Sequence, residues 1–449
     1  MPDPSIETSP SAFPHTPAPP SNPGAKSALM IVFLVVFIDL LGFGIVIPLL
    51  SIYGDKYVSP LIGSKEGLLH GVILGVLMAS FSAMQFFFAP VWGRLSDRVG
   101  RRPILLIGLV GSVLFYLLFG YASDLPAERE WAGLALALLF VSRIGAGVAG
   151  ATIATAQAVI ADCTTPERRK HGMALIGAAF GIGFTFGPLV GFASLSGVRN
   201  HDGVIGYSAA LLSFGALILG LILSPETRRF GTAPPLQRKW FDWGATRKVL
   251  TSPMLGPIVL IFFLATLGFG GFEPTLALLI KDALGMEKRD TFLMFAYVGF
   301  VLVMTQGVLY RRLANRLSEV TFMAMGISLM ALGLLLLGGV TWMAADPSTT
   351  WGMKLGGMLV SMTLAVVGFA FLTPSAQALI SRRGDPEKQG EILGVNQSAS
   401  ALARILGPIF GVGLYFLPPK HLLPYIFGAA LLVVMLPLLP RIRRSDAVK

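Results

Sequence analysis

Charged residues are scarce in this chain of 449 residues: 13% are Asp, Glu, Lys or Arg, whereas 54% are hydrophobic. Soluble domains carry about 25% charged residues, so this composition excludes an ordinary soluble protein. A segment needs about 20 mostly apolar residues to cross the ~30 Å hydrocarbon core of a bilayer. Because such segments recur along the chain, the sequence predicts an integral membrane protein.

Cysteine and histidine are nearly absent. The single Cys163 excludes an internal disulfide framework, and the five histidines show no metal-ligand spacing. The sequence contains neither a nucleophile–base set nor a phosphate-binding loop of the form G-x-x-x-x-G-K-[ST]. We therefore expect no enzymatic activity, catalytic residue, metal or cofactor, and we expect an ion gradient as the energy source.

Long apolar segments are abundant, and we count twelve. Every backbone N–H and C=O in lipid must find a partner inside the protein, so continuous segments of this length predict helices. The predicted spans cover residues 28–52, 68–92, 103–123, 131–161, 171–195, 204–224, 253–280, 291–311, 319–343, 351–380, 390–417 and 421–440.

The net charge of +11 follows the same topology. With an internal N-terminus, the loops and tail on the inner side hold 23 Lys and Arg, and the outer loops hold nine. This asymmetry predicts a multi-pass protein of the cell (inner) membrane with both termini in the cytoplasm. We therefore expect the lipid bilayer as its surroundings and no nucleic-acid partner.

An internal repeat predicts two halves. Residues 156–191 align without a gap on residues 376–411, with ten of 36 positions identical, and residues 41–48 resemble residues 267–274. Two parallel six-helix halves are typical of one large transporter class, in which the substrate binds between halves that rock against each other.

The repeat sets the predicted domain boundaries. The halves are residues 27–224 and 253–440, joined by a polar cytoplasmic linker at 225–252. Residues 1–26 hold eight prolines and predict a disordered cytoplasmic tail. Residues 441–449 form the cytoplasmic C-terminal tail.

A charged loop, GRLSDRVGRRP, follows the second span. Its arginines would anchor the loop at the cytoplasmic face, but topology alone does not account for its glycines and aspartate. The spacing resembles the loop motif of the major facilitator superfamily, in which this loop contributes to gating. The matching residues are Gly93, Asp97, Arg98, Gly100, Arg101 and Arg102.

Two further segments extend the resemblance over the chain from about residue 28. RIGAGVAGA, at 143–151, resembles the superfamily's span-four arginine motif, and GIGFTFGPLVG, at 181–191, resembles its span-five antiporter motif. The second motif rests on Gly183, Gly187, Pro188 and Gly191. Tight helix packing alone would account for these glycines, and sliding or bending during transport is the alternative.

The first span, FIDLLGFGIVIPLL, is similar to that of twelve-helix drug:proton antiporters, and together the motifs resemble the tetracycline-efflux-like branch of multidrug efflux proteins. The resemblance implies the twelve-helix major facilitator fold, a proton-coupled antiporter, and a monomer. Tetracycline exporters carry an acid in span nine. This sequence has none between residues 321 and 343, which argues against tetracycline as the substrate.

Ionisable residues within spans are functional candidates, because each is costly in lipid. Asp39 and Arg143 both lie near the midplane, where they could meet. Our hypothesis is that Asp39 carries the coupling proton while Arg143 tunes its proton affinity. A fixed structural ion pair between them is the alternative.

Other polar residues form a candidate substrate cavity. Glu273 is expected either in the cavity or at the outer mouth, and Arg404 either pairs across the halves or reaches the interface. Gln157 and Gln377 are repeat-related, and interhelical hydrogen bonding competes with substrate contact as their role.

The sequence therefore predicts an all-α, secondary active transporter with protons and a small molecule as ligands. The leading hypothesis is a proton-coupled antiporter that exports small amphipathic compounds by alternating access. The alternative is an importer or exchanger of a specific metabolite on the same fold, since fold does not fix function. A membrane-embedded enzyme or a non-transporting receptor is disfavoured.

Overall fold

The computed structural model describes residues 25–63, 67–164, 166–196, 201–227, 243–385, 389–418, 421–440 and 442. Most of the predicted N-terminal tail, the linker's central part and nearly all of the C-terminal tail lie outside the described residues. All regular structure in the described part of the chain is helical. The helices are α1 (Ala25–Ile62), α2 (Leu68–Val99), α3 (Arg101–Asp124), α4 (Arg129–Ala149), α5 (Ile153–Cys163), α6 (Pro166–Leu195), α7 (Val204–Leu223), α8 (Trp243–Thr251), α9 (Gly256–Leu284), α10 (Lys288–Met304), α11 (Arg311–Leu313), α12 (Glu319–Ala345), α13 (Trp351–Arg383), α14 (Gln389–Tyr415) and α15 (Leu423–Val433).

The all-α membrane fold is confirmed. Ten helical segments in the described residues are long and apolar enough to cross a membrane, and two shorter apolar segments, Gly181–Leu195 and Leu423–Leu438, match the fifth and twelfth predicted spans. The fourth span consists of α4 and α5. The eighth consists of α10, a π-helical turn at Thr305–Tyr310, and α11.

The break in the fourth span is held by side chains from α2. A helix break leaves carbonyl groups without intrahelical partners, which is costly inside a membrane. Trp92 Nε1 donates to the Val148 carbonyl at 2.7 Å, and Gln85 Nε2 donates to the Gly150 carbonyl at 3.1 Å. Interhelical hydrogen bonding therefore accounts for Gln85.

The bundle has two ends. We call the end where Gly100 joins α2 to α3 the Gly100 end, and the end where Lys56 lies on α1 the Lys56 end. The charge asymmetry predicts that the Gly100 end faces the cytoplasm. At the Lys56 end Gly285 ends α9 in a left-handed conformation, with φ of 62° and open space around it.

The internal repeat reappears as equivalent helix contacts. A Cβ added to Gly187 of α6 would lie 2.8 Å from Gly44 of α1, and one added to Gly407 of α14 would lie 2.8 Å from Gly270 of α9. These distances are too short for any side chain, so α1–α6 and α9–α14 meet through paired glycines. The first and second halves then pack together along α2–α14 and α6–α10.

Candidate functional site

Asp39 of α1 lies in the interior of the first half. It is partly buried, and it accepts a hydrogen bond of 3.0 Å from Ser112 Oγ of α3. No ion pair to Asp39 is present among the described residues. A carboxylate in this position can gain or lose a proton without breaking a salt bridge.

Arg143 of α4 is 1% exposed, and its Nε and Nη2 atoms have no hydrogen-bond partner among the residues that the structure describes. Its guanidinium carbon lies 4.6 Å from the centre of the Phe81 ring, a cation–π contact that stabilises part of the buried charge. Gly147 allows this contact, because a Cβ there would lie 2.5 Å from the Phe81 carbonyl. A buried arginine with unsatisfied donors can accept a hydrogen-bonding ligand.

Asp39 and Arg143 form no ion pair among the described residues, so the fixed structural ion pair considered as the alternative is not present there. Tyr116 of α3 lies within electrostatic reach of both side chains, and its hydroxyl would lie 2.7 Å from a Cβ placed on Gly42, three residues after Asp39. The aromatic side chain is 3% exposed. The electrostatic surroundings of Tyr116 therefore include both Asp39 and Arg143.

Glu273 and Arg404 lie in the second half. Glu273 lies on α9, about 16 Å along the helix from its Lys56 end, and its buried Oε1 has no hydrogen-bond partner within the described ranges. Arg404 is exposed, and its guanidinium donates a hydrogen bond of 3.2 Å to Ser400 Oγ. Its backbone lies beside α9 near Gly270. The two side chains form no ion pair with each other in the described residues.

Gln157 of α5 and Gln377 of α13 occupy repeat-related positions. Both side chains are exposed, and the structure shows neither in a side-chain hydrogen bond among the described residues. Gln85, by contrast, is used to hold the fourth span. The hydrogen-bonding interpretation therefore fits Gln85 better than the repeat-related pair.

The loop motif is organised around Arg101. Its guanidinium forms ion pairs with Asp97, at 2.5 Å, and with Asp162, at 3.1 Å. It also donates a hydrogen bond of 2.7 Å to Ser96 Oγ. Asp162 lies in the last turn of α5, so this network joins the α2–α3 turn to the end of the fourth span. The Arg102 guanidinium donates a hydrogen bond of 2.7 Å to the Leu221 carbonyl.

Glu226 covers the start of α3. Its carboxylate accepts the backbone N–H groups of Arg101 at 2.9 Å and Arg102 at 3.1 Å, which satisfies two donors that a helix start leaves unpaired. Gly100 makes room for it: its φ is 109°, and a Cβ there would lie 2.5 Å from Glu226 Oε2. Pro103 lies in the first turn of α3.

The remaining members of the loop motif are less constrained. A Cβ on Gly93 would make an ordinary contact of 3.6 Å with Ala154, so the described structure does not require glycine there. Arg98 is exposed. Asp97, Gly100 and Arg101 therefore form the structural centre of the loop.

The span-five motif packs α6 against two helices. A Cβ on Gly183 would lie 2.9 Å from Leu40 of α1, and one on Gly191 would lie 2.4 Å from Phe292 of α10. Pro188 is buried beside Gly187. The motif thus packs α6 against α1 within the first half and against α10 of the second half.

Sequence reasoning did not single out Tyr116 or Glu226. Tyr116 lies in an apolar span without a motif around it, although an aromatic hydroxyl in a span is itself a signal for a buried hydrogen-bonding group. Glu226 follows the sixth span in the segment SPETRR, where it reads as an ordinary linker charge.

The chain matches the family model described as Major Facilitator Superfamily over residues 32–408 and 258–449. It is 30% identical over 423 residues to tetracycline resistance protein, class C, of Escherichia coli, covering 93% of this chain and 97% of the relative. It is 29% identical over 444 residues to major facilitator superfamily domain-containing protein 10 of Mus musculus, covering 90% of this chain and 91% of the relative.

Solved structures of other transporters also resemble this chain. The human organic anion transporter MFSD10 (TETRAN) superposes with a TM-score of 0.59 at 25% identity, covering 93% of this chain and 100% of that chain. The D-xylose–proton symporter superposes with a TM-score of 0.73 at 18% identity, covering 92% and 97%, which shows the shared fold. The chain therefore belongs to the Major Facilitator Superfamily and is a multi-pass membrane transporter, not an enzyme.

Proposed function

We propose that the protein is a proton-coupled antiporter that exports small amphipathic compounds by alternating access. The observation that carries this proposal is the arrangement of Asp39, Tyr116 and Arg143 in the first half. In the part of the chain that the structure describes, Asp39 has no ion-pair partner and Arg143 Nε and Nη2 have no hydrogen-bond partner, and both residues lie within electrostatic reach of Tyr116. Such groups are costly in a membrane interior and are expected to serve transport.

Asp39 is the proton carrier in this proposal. Its single hydrogen bond to Ser112 persists whether the carboxyl group is protonated or not, because a hydroxyl can accept as well as donate. Arg143 acts on Asp39 through the intervening Tyr116 rather than by direct contact. A change in helix position that moves Tyr116 would therefore alter how strongly Asp39 holds its proton.

The two halves, 27–224 and 253–440, are proposed to rock against each other about the α2–α14 and α6–α10 contacts. The paired glycines keep each half's own helices together during this motion. Gly93, Asp97, Arg98, Gly100, Arg101 and Arg102 would control closure at the Gly100 end. The proposed setting is a monomer in the cell (inner) membrane with that end, both termini and the linker in the cytoplasm.

The substrate cavity is proposed to include Gln157, Glu273, Gln377 and Arg404. Glu273 supplies a buried oxygen that has no hydrogen-bond partner in the described part of the chain, and Arg404 and the glutamines supply accessible polar groups. Apolar walls with a few polar groups suit small amphipathic molecules. Relatives named for tetracycline resistance and for organic anion transport support a small-molecule substrate.

A second candidate is the import or exchange of a specific anionic metabolite. It is favoured by Arg143 and Arg404, which have no carboxylate partner among the described residues. Two such guanidinium groups could bind a carboxylate-bearing substrate.

Inside-out vesicles with a pH-sensitive dye test these alternatives. After an acid-inside gradient is formed, cationic, neutral and anionic amphipathic compounds are added singly to vesicles that contain wild type or Asp39→Asn. Antiport predicts that some compound collapses the gradient with wild type only. The control Asp346→Asn, an exposed residue between α12 and α13, should behave like wild type. If no compound does so, and wild type instead takes up anionic metabolites into right-side-out vesicles, the second candidate is supported.

A further inference from the structure

Ion pairs join the two halves at the Lys56 end. Lys281 Nζ of α9 lies 3.0 Å from Asp55 Oδ2 of α1, and Lys288 of α10 binds Asp202, which precedes α7. In both pairs the first half supplies the carboxylate and the second half supplies the lysine. These charges lie outside the Asp39 cluster, and neither the family motifs nor the proposed cavity includes them.

Asp55 is shared between the halves. Besides contacting Lys281, the Asp55 carboxylate lies 3.0 Å from His70 Nε2 of α2. It also accepts a hydrogen bond of 3.0 Å from Ser59 Oγ of its own helix. His70 also lies against Phe416 of the second half, with ring centres 4.3 Å apart. One carboxylate thus has partners in its own half and a single lysine across the boundary.

Asp202 repeats the arrangement. Its Oδ2 lies 3.1 Å from Lys56 Nζ of the first half, while its Oδ1 contacts Lys288 of the second. Tyr53 Oη donates a hydrogen bond of 3.1 Å to the backbone carbonyl of Asp202. The Lys288 ammonium lies 5.1 Å from the centre of the Tyr53 ring. Asp202 would therefore keep Lys56 as a partner after Lys288 moves away.

The environment makes these contacts breakable. A cavity of about 420 Å³ borders both sites, and the side chains of Lys281 and Lys288 are 44% and 37% exposed. Ion pairs with this much exposure are weak, because water screens them. A buried carboxylate left without any partner would be far more costly, and the partners in the first half avoid that cost.

We propose that Asp55 and Asp202 form the gate at the Lys56 end. They hold the halves closed by binding Lys281 and Lys288. When the end opens, each carboxylate stays in the first half on its own partner, His70 for Asp55 and Lys56 for Asp202. The two lysines are then exposed on the second half.

Spin-label distances test the gate directly, without any transport substrate. In a Cys163→Ser background, cysteines replace Ala127 and Ala345, which are exposed at the Lys56 end of the first and second half. The purified full chain is labelled and measured by double electron–electron resonance. The double variant Asp55→Asn, Asp202→Asn should shift the distribution toward longer distances, with roughly a fivefold change in the open-to-closed ratio for each pair lost.

Two controls separate gating from folding. Asp346→Asn removes a carboxylate at the same end of the bundle. This carboxylate accepts a hydrogen bond from the Ser348 backbone N–H of its own loop, so the variant should leave the distances unchanged. Lys281→Ala and Lys288→Ala leave both carboxylates with their first-half partners, so these variants should fold and still shift the distances. They replace the aspartate variants if those fail to fold.

A charge exchange gives the decisive result. Lys281→Glu should open the Lys56 end by repulsion from Asp55, and adding Asp55→Lys should restore the short distance. The proposal is overturned if folded lysine variants keep the parent distribution, or if the exchange does not restore it. Because the readout is a distance, this result does not depend on whether Asp39 couples protons.

Discussion

Replacing Gly100 by alanine should strongly destabilise the turn between α2 and α3. The backbone there has φ of 109° and ψ of 160°, a region that is essentially restricted to glycine and costs other residues about 1–3 kcal/mol. The new Cβ would also lie 2.5 Å from Glu226 Oε2 and push this carboxylate from the N–H groups of Arg101 and Arg102. Charge-assisted hydrogen bonds contribute about 1.5–3 kcal/mol each, and partial exposure favours the lower value. We expect a total loss of about 4–6 kcal/mol.

A double-mutant cycle checks this reasoning. The free energies of unfolding of Gly100→Ala, Glu226→Gln and the double variant would be measured by denaturant titration in mixed micelles. Part of the cost of Gly100→Ala arises through Glu226, so the double variant should lose less than the sum of the single losses, by about 1 kcal/mol or more. Gly285→Ala is the matched control, because Gly285 also has positive φ but open space around it, and should cost only about 1–2 kcal/mol. Additive losses within about 0.5 kcal/mol, or equal losses at both glycines, would refute the account.

Three other substitutions and one control probe the packing and the proton site. Gly187→Val should abolish transport and lower the melting temperature, because its side chain would collide with Gly44, whereas Gly181→Val, where nothing lies within 4 Å, should be tolerated in both assays. Trp92→Phe should cost about 1 kcal/mol in unfolding free energy through the lost bond to the broken fourth span, and an unchanged value would show that this bond is unimportant. Tyr116→Phe should fold normally but alter the pH dependence of proton release from vesicles, and an unchanged profile would remove Tyr116 from the coupling group.

The fold was largely predictable because lipid leaves few alternatives. Twelve apolar segments predicted the helical spans, and the repeat predicted which helices would pack in the same way. The glycine pairs that join α1 to α6 and α9 to α14 follow directly from the two aligned segments. Gly100 was also identified from its motif, although the motif alone does not reveal the carboxylate that occupies the space.

The side-chain partners were less predictable, because they depend on how each helix is rotated about its axis. Depth in the membrane suggested that Asp39 and Arg143 meet, but a helix rotation that turns them apart leaves their depth unchanged. The position of Tyr116 near both groups, and the pairing of Asp55 with Lys281, join residues that are far apart in sequence. No local pattern encodes such contacts.

The most direct measurement of the central claim uses purified protein in proteoliposomes, with a compound that collapses the gradient in the vesicle assay. Uphill substrate movement driven by an imposed pH gradient is compared with substrate–substrate exchange, for wild type and Asp39→Asn. Asp39→Asn is predicted to retain exchange and to lose uphill movement, because it binds substrate but carries no proton. Uphill transport by Asp39→Asn that still depends on the pH gradient would contradict Asp39 as the proton carrier.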